Sequence, residues 1–103
     1  MKIPFRPITR IKDMLESMGQ QMAYAYEDLV FPEHTAFLLQ MGEEGRDLFV
    51  HFNCESLEAE RPTLLQQLKN AGAKQSLKVR VKGLYQLTPS ENDEIRIKFL
   101  PLE

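Results

Sequence analysis

Apolar side chains recur at helical spacing in the stretch TRIKDMLESMG, residues 9–19. They fall at positions i, i+3, i+4 and i+7, which lie on one face of an α-helix. Thr9 is suited to cap the start of this helix, and Gly19 is suited to end it. The pattern predicts a first helix with a buried face made of Ile11, Met14, Leu15 and Met18.

A second helix is predicted within ESLEAERPTLLQQLKNAGAK, residues 55–74. Pro62 suits the first turn of a helix, and Gly72 is expected to end it. The buried stripe predicted for this helix consists of Leu64, Leu65, Leu68 and Ala71.

Residues 20–30 fit both a strand and a helix. Met22, Tyr24 and Tyr26 alternate with two alanines, as they would on a strand with its bulky side chains on one face. Met22 and Tyr26 are also four residues apart, as on a helix that continues the first one. Gly19 favours the strand, because it stands where a helix would end.

The stretch HTAFLLQMGEEGRDLFVHFNCE, residues 34–55, predicts a β-hairpin that is apolar on both faces. Gly45 suits a three-residue loop, so Gly42 is expected to pair with Arg46. In that register one face carries His34, Ala36, Leu38, Gln40, Leu48, Val50, Phe52 and Cys54. The other face carries Phe37, Leu39, Met41, Phe49, His51 and Asn53.

The segment SLKVRVKGLYQLTPSENDEIRIKFLPLE, residues 76–103, predicts a second hairpin with one apolar and one basic face. TPSEND supplies the residues that favour a turn. The apolar face consists of Leu77, Val79, Val81, Tyr85, Leu87, Ile95, Ile97 and Phe99. The basic face consists of Lys78, Arg80, Lys82, Arg96 and Lys98.

Together these elements predict a single α+β domain over residues 1–103, with the order α-β-β-β-α-β-β. Two short helices are expected to pack on one face of a mainly antiparallel sheet of four to five strands. They cannot also cover the outer face of the first hairpin. The candidates for that cover are strands curling into a partial barrel, a second copy of the chain, a protein partner or a ligand.

Composition predicts a soluble cytoplasmic protein. Of the 103 residues, 43% are hydrophobic and 27% are charged, which is typical of a globular domain. Cys54 is the single cysteine, which excludes an internal disulfide and fits a reducing compartment. No stretch resembles a signal peptide or approaches the ~20 apolar residues that cross a bilayer.

Charge is unevenly distributed along the chain. Residues 13–60 carry eleven acids and one cation, whereas residues 61–98 carry eight cations and three acids. Such asymmetry marks a partner surface in some proteins. In others it lets the two halves of one domain attract each other.

The sequence predicts no catalytic residue, no metal site and no cofactor. Cys54 and His34 face each other in the expected register, and such a pair can form a thiolate nucleophile. No third residue orients the pair, so packing is the favoured role. His51 and Cys54 are three residues apart, which places them on opposite faces of a strand and prevents both from binding one metal ion.

The basic face of the second hairpin is the best candidate for binding an anion. Its residues are Lys78, Arg80, Lys82, Arg96 and Lys98. No aromatic side chain is interleaved with them, so the platform on which nucleic-acid bases stack is missing. The chain is also acidic overall, with a formal charge of −2. Nucleic acid is therefore not the expected partner.

The leading hypothesis is a non-enzymatic protein-interaction domain that forms a twofold homodimer or receives another protein chain. The motivation is an apolar second face with no element left to cover it. The contact would use the outer face of the first hairpin, with Phe37, Leu39, Met41, Phe49 and His51.

The order of elements resembles that of type III secretion chaperones, which are small acidic dimers that hold an extended segment of a partner. This resemblance covers most of the chain as element order, without a shared motif, and no counterpart of their final helix is predicted. The alternative hypothesis is a small split barrel. Its apolar wall and basic strip would hold a flat anionic cofactor such as a flavin nucleotide.

Overall fold

The computed structural model describes residues 8–33, 36–42, 46–89 and 95–101. In these ranges the α+β class is confirmed, and the strand interpretation of residues 20–30 is correct. The elements in chain order are α1 (Ile8–Ser17), β1 (Met22–Tyr26), β2 (Leu29–Pro32), β3 (Phe37–Met41), β4 (Asp47–Asn53), a 3-10 turn (Glu58–Glu60), α2 (Arg61–Lys74), β5 (Lys78–Pro89) and β6 (Ile95–Pro101).

The six strands form one sheet in the order β1-β2-β3-β4-β5-β6. Neighbours are antiparallel except β4 and β5, which are parallel because α2 crosses over between them. The predicted four to five strands were too few, since four strands rather than three precede α2. The missed element is the turn at Glu27 and Asp28, where Glu27 adopts a φ of 53° and folds β2 back on β1.

Both helices pack on one face of the sheet and enclose a single core. From α1 the core receives Ile11, Met14 and Leu15, which confirms the predicted helical stripe. From α2 it receives Leu68 and Ala71. The strands contribute Val30, Phe37, Leu39, Met41, Leu48, Val50, Phe52 and Val79.

The first hairpin has a register one residue away from the predicted one. Phe37 lies opposite Phe52, and the N–H of Gly42 donates to the carbonyl of Asp47 at 3.0 Å. The predicted pairing of Gly42 with Arg46 is therefore wrong. A Cβ on Gly42 would lie 2.7 Å from Cβ of Asp47, so glycine is needed at this close pair. The shift aligns the apolar residues of both strands on the face beneath the helices.

The sequence predicted that Gly72 ends α2, and this prediction is wrong, since the helix continues to Lys74. Gly72 lies where the helix touches β5, and a Cβ there would stand 2.5 Å from Cγ2 of Val79. The end is a Schellman motif in which Ser76, with a φ of 61°, occupies the left-handed position. The N–H of Leu77 donates to the carbonyl of Gly72 at 2.8 Å and closes this motif.

An extra residue interrupts the pairing of β5 with β4. The partners change from Val50–Val81 to His51–Gly83, so Lys82 is left as a bulge. Before the bulge Val81 packs against the core, and after it Leu84 does. The bulge therefore reverses which alternate residues of β5 face the helices.

Candidate functional site

The face of the sheet opposite the helices, here called the helix-free face, carries a polar cluster at its centre. The cluster is assembled from the β1–β2 turn and from strands β3 to β6, so no short stretch of sequence contains it. Its members are Asp28, Gln40, Phe49, His51, Lys82 and Phe99.

A chain of hydrogen bonds orders the centre of the cluster. Nε2 of Gln40 donates to Oδ2 of Asp28 at 2.8 Å, which turns Oε1 of Gln40 toward His51. Nε2 of His51 lies 2.9 Å from that oxygen and must be the donor, since an amide oxygen only accepts. Nζ of Lys82 approaches the same oxygen at 3.5 Å. His51 is thus held in one tautomer, with the lone pair on Nδ1.

His51 is a buried neutral group in this arrangement. The residue is 4% exposed, and its Nδ1 has no hydrogen-bond partner among the described residues. The pKa of His51 is lowered to about 4, mainly by burial and also by the charge of Lys82, while the charge of Asp28 acts in the opposite direction. A histidine with this pKa is a weak base at neutral pH. The geometry therefore favours a structural or recognition role for His51.

Two aromatic rings flank the cluster and reach the surface. The ring of Phe99 lies 4.6 Å from the His51 ring, tilted by 50°, and the residue is 45% exposed. The ammonium of Lys82 lies 4.9 Å from the centre of the Phe49 ring, a cation–π contact. Each ring is in contact with a polar neighbour.

A shallow groove of about 550 Å³ adjoins the cluster on the side of the first hairpin. Acidic, basic and aromatic groups all reach it, so it can accept a partner with mixed chemistry. Its lining consists of Asp28, Gln40, Met41, Gly42, Asp47, Phe49 and Lys82.

The predicted basic face is divided between the two sides of the sheet. Lys78 and Arg80 are exposed on the helix-free face, where they pair with Asp47 and Phe49, and Lys82 extends the row. The expectation that Arg96 and Lys98 share this face is wrong. They lie opposite Thr88 and Gln86 in β5, on the same side as Leu84, because the bulge at Lys82 reverses the alternation.

The predicted hairpin interface is divided in the same way. Phe37 and Leu39 are 0% exposed and Met41 is 4% exposed, all in the core beneath the helices. Phe49 and His51 lie on the helix-free face. The grouping of the five residues on one surface is wrong, and the cause is the one-residue shift in register. Dimerisation through the hairpin stays a prediction, carried by the partly exposed Phe49.

Cys54 lies half-buried just after β4, where its N–H donates to the carbonyl of Tyr85 at 2.9 Å. The predicted pair of Cys54 with His34 cannot be placed, since His34 is outside the described residues. Within the described ranges, no three side chains of His, Cys, Asp or Glu are grouped so as to hold a metal ion.

Among the described strands, the split barrel of the alternative hypothesis is not formed. The sheet is open, with β1 and β6 at its two edges rather than paired with each other. Sequence reasoning also missed Asp28 and Gln40 as partners of His51, because their spacing along the chain carries no signal.

No family model, curated protein or solved structure gives a significant match to the chain. Among the helices in the described ranges, none is long and apolar enough to cross a membrane.

Proposed function

We propose that the protein is a non-enzymatic, cytoplasmic protein-interaction domain that binds an acidic segment of a partner on its helix-free face. One observation carries this proposal. Three exposed cations and two surface aromatic rings lie together on the one face of the sheet that no described helix covers.

The charges of this face favour an acidic partner. Lys78, Arg80 and Lys82 form a row along β5 and point into solvent. Of the acids nearby, Asp28 is already bound to Gln40, and Asp47 lies beside Lys78. A row of like charge speeds the encounter with an oppositely charged chain and rejects a basic one.

The aromatic rings supply the anchors that protein interfaces use. Aromatic side chains and cations dominate the binding energy of such surfaces when they are held in place beforehand. Phe99 contacts the ring of His51, and Phe49 contacts the ammonium of Lys82. Both rings thus have a partner on the face before a ligand binds.

Fluorescence anisotropy with a labelled peptide tests the proposal. In this peptide glutamates alternate with valine and phenylalanine. We expect Lys78→Glu combined with Arg80→Glu to weaken binding by about tenfold or more, since two attractive contacts become repulsive. The matched control is Lys69→Glu combined with Lys74→Glu on α2, which changes the net charge equally and leaves the affinity intact.

Equal losses in both double variants would overturn the proposal, because binding would then follow net charge alone. Absence of binding to the wild type would overturn it too. Light scattering on the same samples tests whether a second copy of the chain occupies this face. A wild-type dimer that dissociates in the variant with both Lys78→Glu and Arg80→Glu would replace the acidic partner with a homodimer.

A flat anionic cofactor is the second candidate, favoured by the groove in which Lys82 lies over Phe49. Titration with flavin mononucleotide tests it. A thermal shift that Lys82→Met abolishes would support this candidate, and an unchanged melting temperature would exclude it.

A further inference from the structure

The outer edge of β6 is a second candidate binding surface of the protein. Strand β6 ends the sheet, and in the described part of the chain it pairs with β5 alone. Its pairing runs without a bulge from Gly83–Pro101 to Pro89–Ile95. In such an edge strand every second residue turns its N–H and C=O groups away from the sheet.

The opposite edge of the sheet, formed by β1, is less suited than β6 to accept a further strand. Strand β1 has five residues, carries a bulge between Met22 and Tyr24, and is in contact with α1. Short, bulged and covered edges do not accept further strands. Of the two edges, β6 is the one with the length and regularity to do so.

The side chains of β6 select against a second copy of the chain. Arg96 and Lys98 are exposed on the helix side of the strand. An antiparallel pairing of two β6 strands centred on Ile97 would place each Arg96 opposite the other copy's Lys98. A centre at Lys98 would place that residue opposite itself. Like charges directly opposite each other destabilise a sheet.

The same side chains are complementary to an acidic strand. Acids at alternate positions of an added strand would face Arg96 and Lys98. The residues between them would lie on the other side, next to Phe99, which is 45% exposed, and Ile97, which is partly exposed. An added strand that alternates acidic and apolar residues satisfies both faces at once.

We infer that β6 is a docking edge at which an extended segment of a partner protein, alternating acidic and apolar residues, adds as a seventh strand to the six of the sheet. This inference rests on the proposed function, since it takes the same acidic partner. The acids of the added strand would meet Arg96 and Lys98 on the helix side of the edge, so β6 is a contact additional to the one at Lys78 and Arg80. The segment gains main-chain hydrogen bonds from the edge and side-chain specificity from the alternation.

Backbone methylation of the alternating glutamate peptide tests the strand addition. Two versions carry N-methyl groups on alternate residues, one in each phase. Since only one set of amide groups can face β6, we expect methylation in one phase to abolish binding and in the other to leave it. Binding unaffected by methylation in either phase would overturn the inference.

Charge reversal on the edge gives an independent result. Arg96→Glu combined with Lys98→Glu is expected to weaken binding of the glutamate peptide by about tenfold. The same variant is expected to bind a peptide with lysines in place of the glutamates. Unchanged binding of the glutamate peptide would overturn the inference. If that binding still depended on Lys78 and Arg80, the proposed function would stand without the edge. Deletion of residues 1–7 is expected to leave affinity unchanged, and a gain would identify this segment as the occupant instead.

Discussion

Nε2 of His51 donates a hydrogen bond to Oε1 of Gln40 across 2.9 Å, at the centre of a sheet face with no described helix above it. Because Asp28 binds the amide nitrogen of Gln40, only the oxygen of that amide can face the imidazole. The contact fixes the neutral tautomer of His51 and leaves Nδ1 buried without a partner among the described residues. Protonation of His51 would therefore place an unpaired charge in a buried site.

Stability is expected to fall on acidification because of His51. Its pKa is about 4 in the folded protein and 6.5 in the unfolded chain, so the unfolded state binds the proton first. The stabilisation is complete above pH 6.5 and is lost progressively as the pH falls toward 4, by roughly 3 kcal/mol at most. Urea denaturation across this range measures the loss. His51→Phe should flatten the dependence.

The two charges beside His51 are expected to shift its pKa in opposite directions. Lys82→Met removes a neighbouring cation and should raise the pKa of His51, whereas Asp28→Asn removes an anion and should lower it. Nuclear magnetic resonance titration of the imidazole reads both shifts directly. Shifts of the same sign in the two variants would show that altered burial, rather than charge, controls this pKa.

Gly72→Ala is expected to destabilise the protein although alanine favours helices. The added Cβ would stand 2.5 Å from Cγ2 of Val79 and 3.4 Å from Sδ of Met14. Overpacking of this kind costs about 1–3 kcal/mol, which exceeds the gain of about 1 kcal/mol in helix propensity. Denaturation of the variant measures the balance. Val79→Ala should make the Gly72→Ala change less costly in the double variant, and strict additivity would contradict the contact.

Ser76→Gly is expected to stabilise the end of α2. Ser76 has a φ of 61°, a left-handed conformation that costs a residue with a side chain about 1–2 kcal/mol. Glycine loses roughly 0.5–1 kcal/mol of this gain through the entropy of the unfolded chain. A net gain of up to about 1.5 kcal/mol should appear as a higher melting temperature. Ser17→Gly, at a helical position without a positive φ, should lower that temperature instead.

Arg96→Glu alone is expected to cause self-association through β6. The substitution places an acid opposite Lys98 of a second copy, twice, in the antiparallel pairing centred on Ile97. Analytical ultracentrifugation should detect more dimer than in the wild type. The variant that also carries Lys98→Glu restores like charges and should not gain dimer. Equal association of the two variants would contradict the role given to this edge.

Local patterns predicted the helices and strands well at positions where the residue type favours a single local conformation. The spacing of Ile11, Met14 and Leu15 predicted α1, and Gly19 ends that helix with a φ of 78°. Ser76 occupies the helix-ending position that the sequence predicted for Gly72. The close contact of Gly72 with Val79 is a tertiary requirement that no local pattern contains.

The candidate site was harder to predict from the sequence. Alternation along a strand shows which residues of two strands share a face only when the register between the strands is known. A shift of one residue in the first hairpin moved Phe37 and Leu39 into the core, and the bulge at Lys82 moved Arg96 and Lys98 away from Lys78. The choice between adjacent registers depends on contacts between distant segments. The apolar character of both hairpin faces was visible, but which residues share a face was not.

The central claim is that the helix-free face receives the partner, and a nuclear magnetic resonance titration with the alternating glutamate peptide tests it most directly. The account predicts shifts in the signals of Phe49, Lys82 and Phe99, with those of the exposed residues of α1 and α2 unchanged. Shifts confined to the two helices, or no shifts at all, would contradict it.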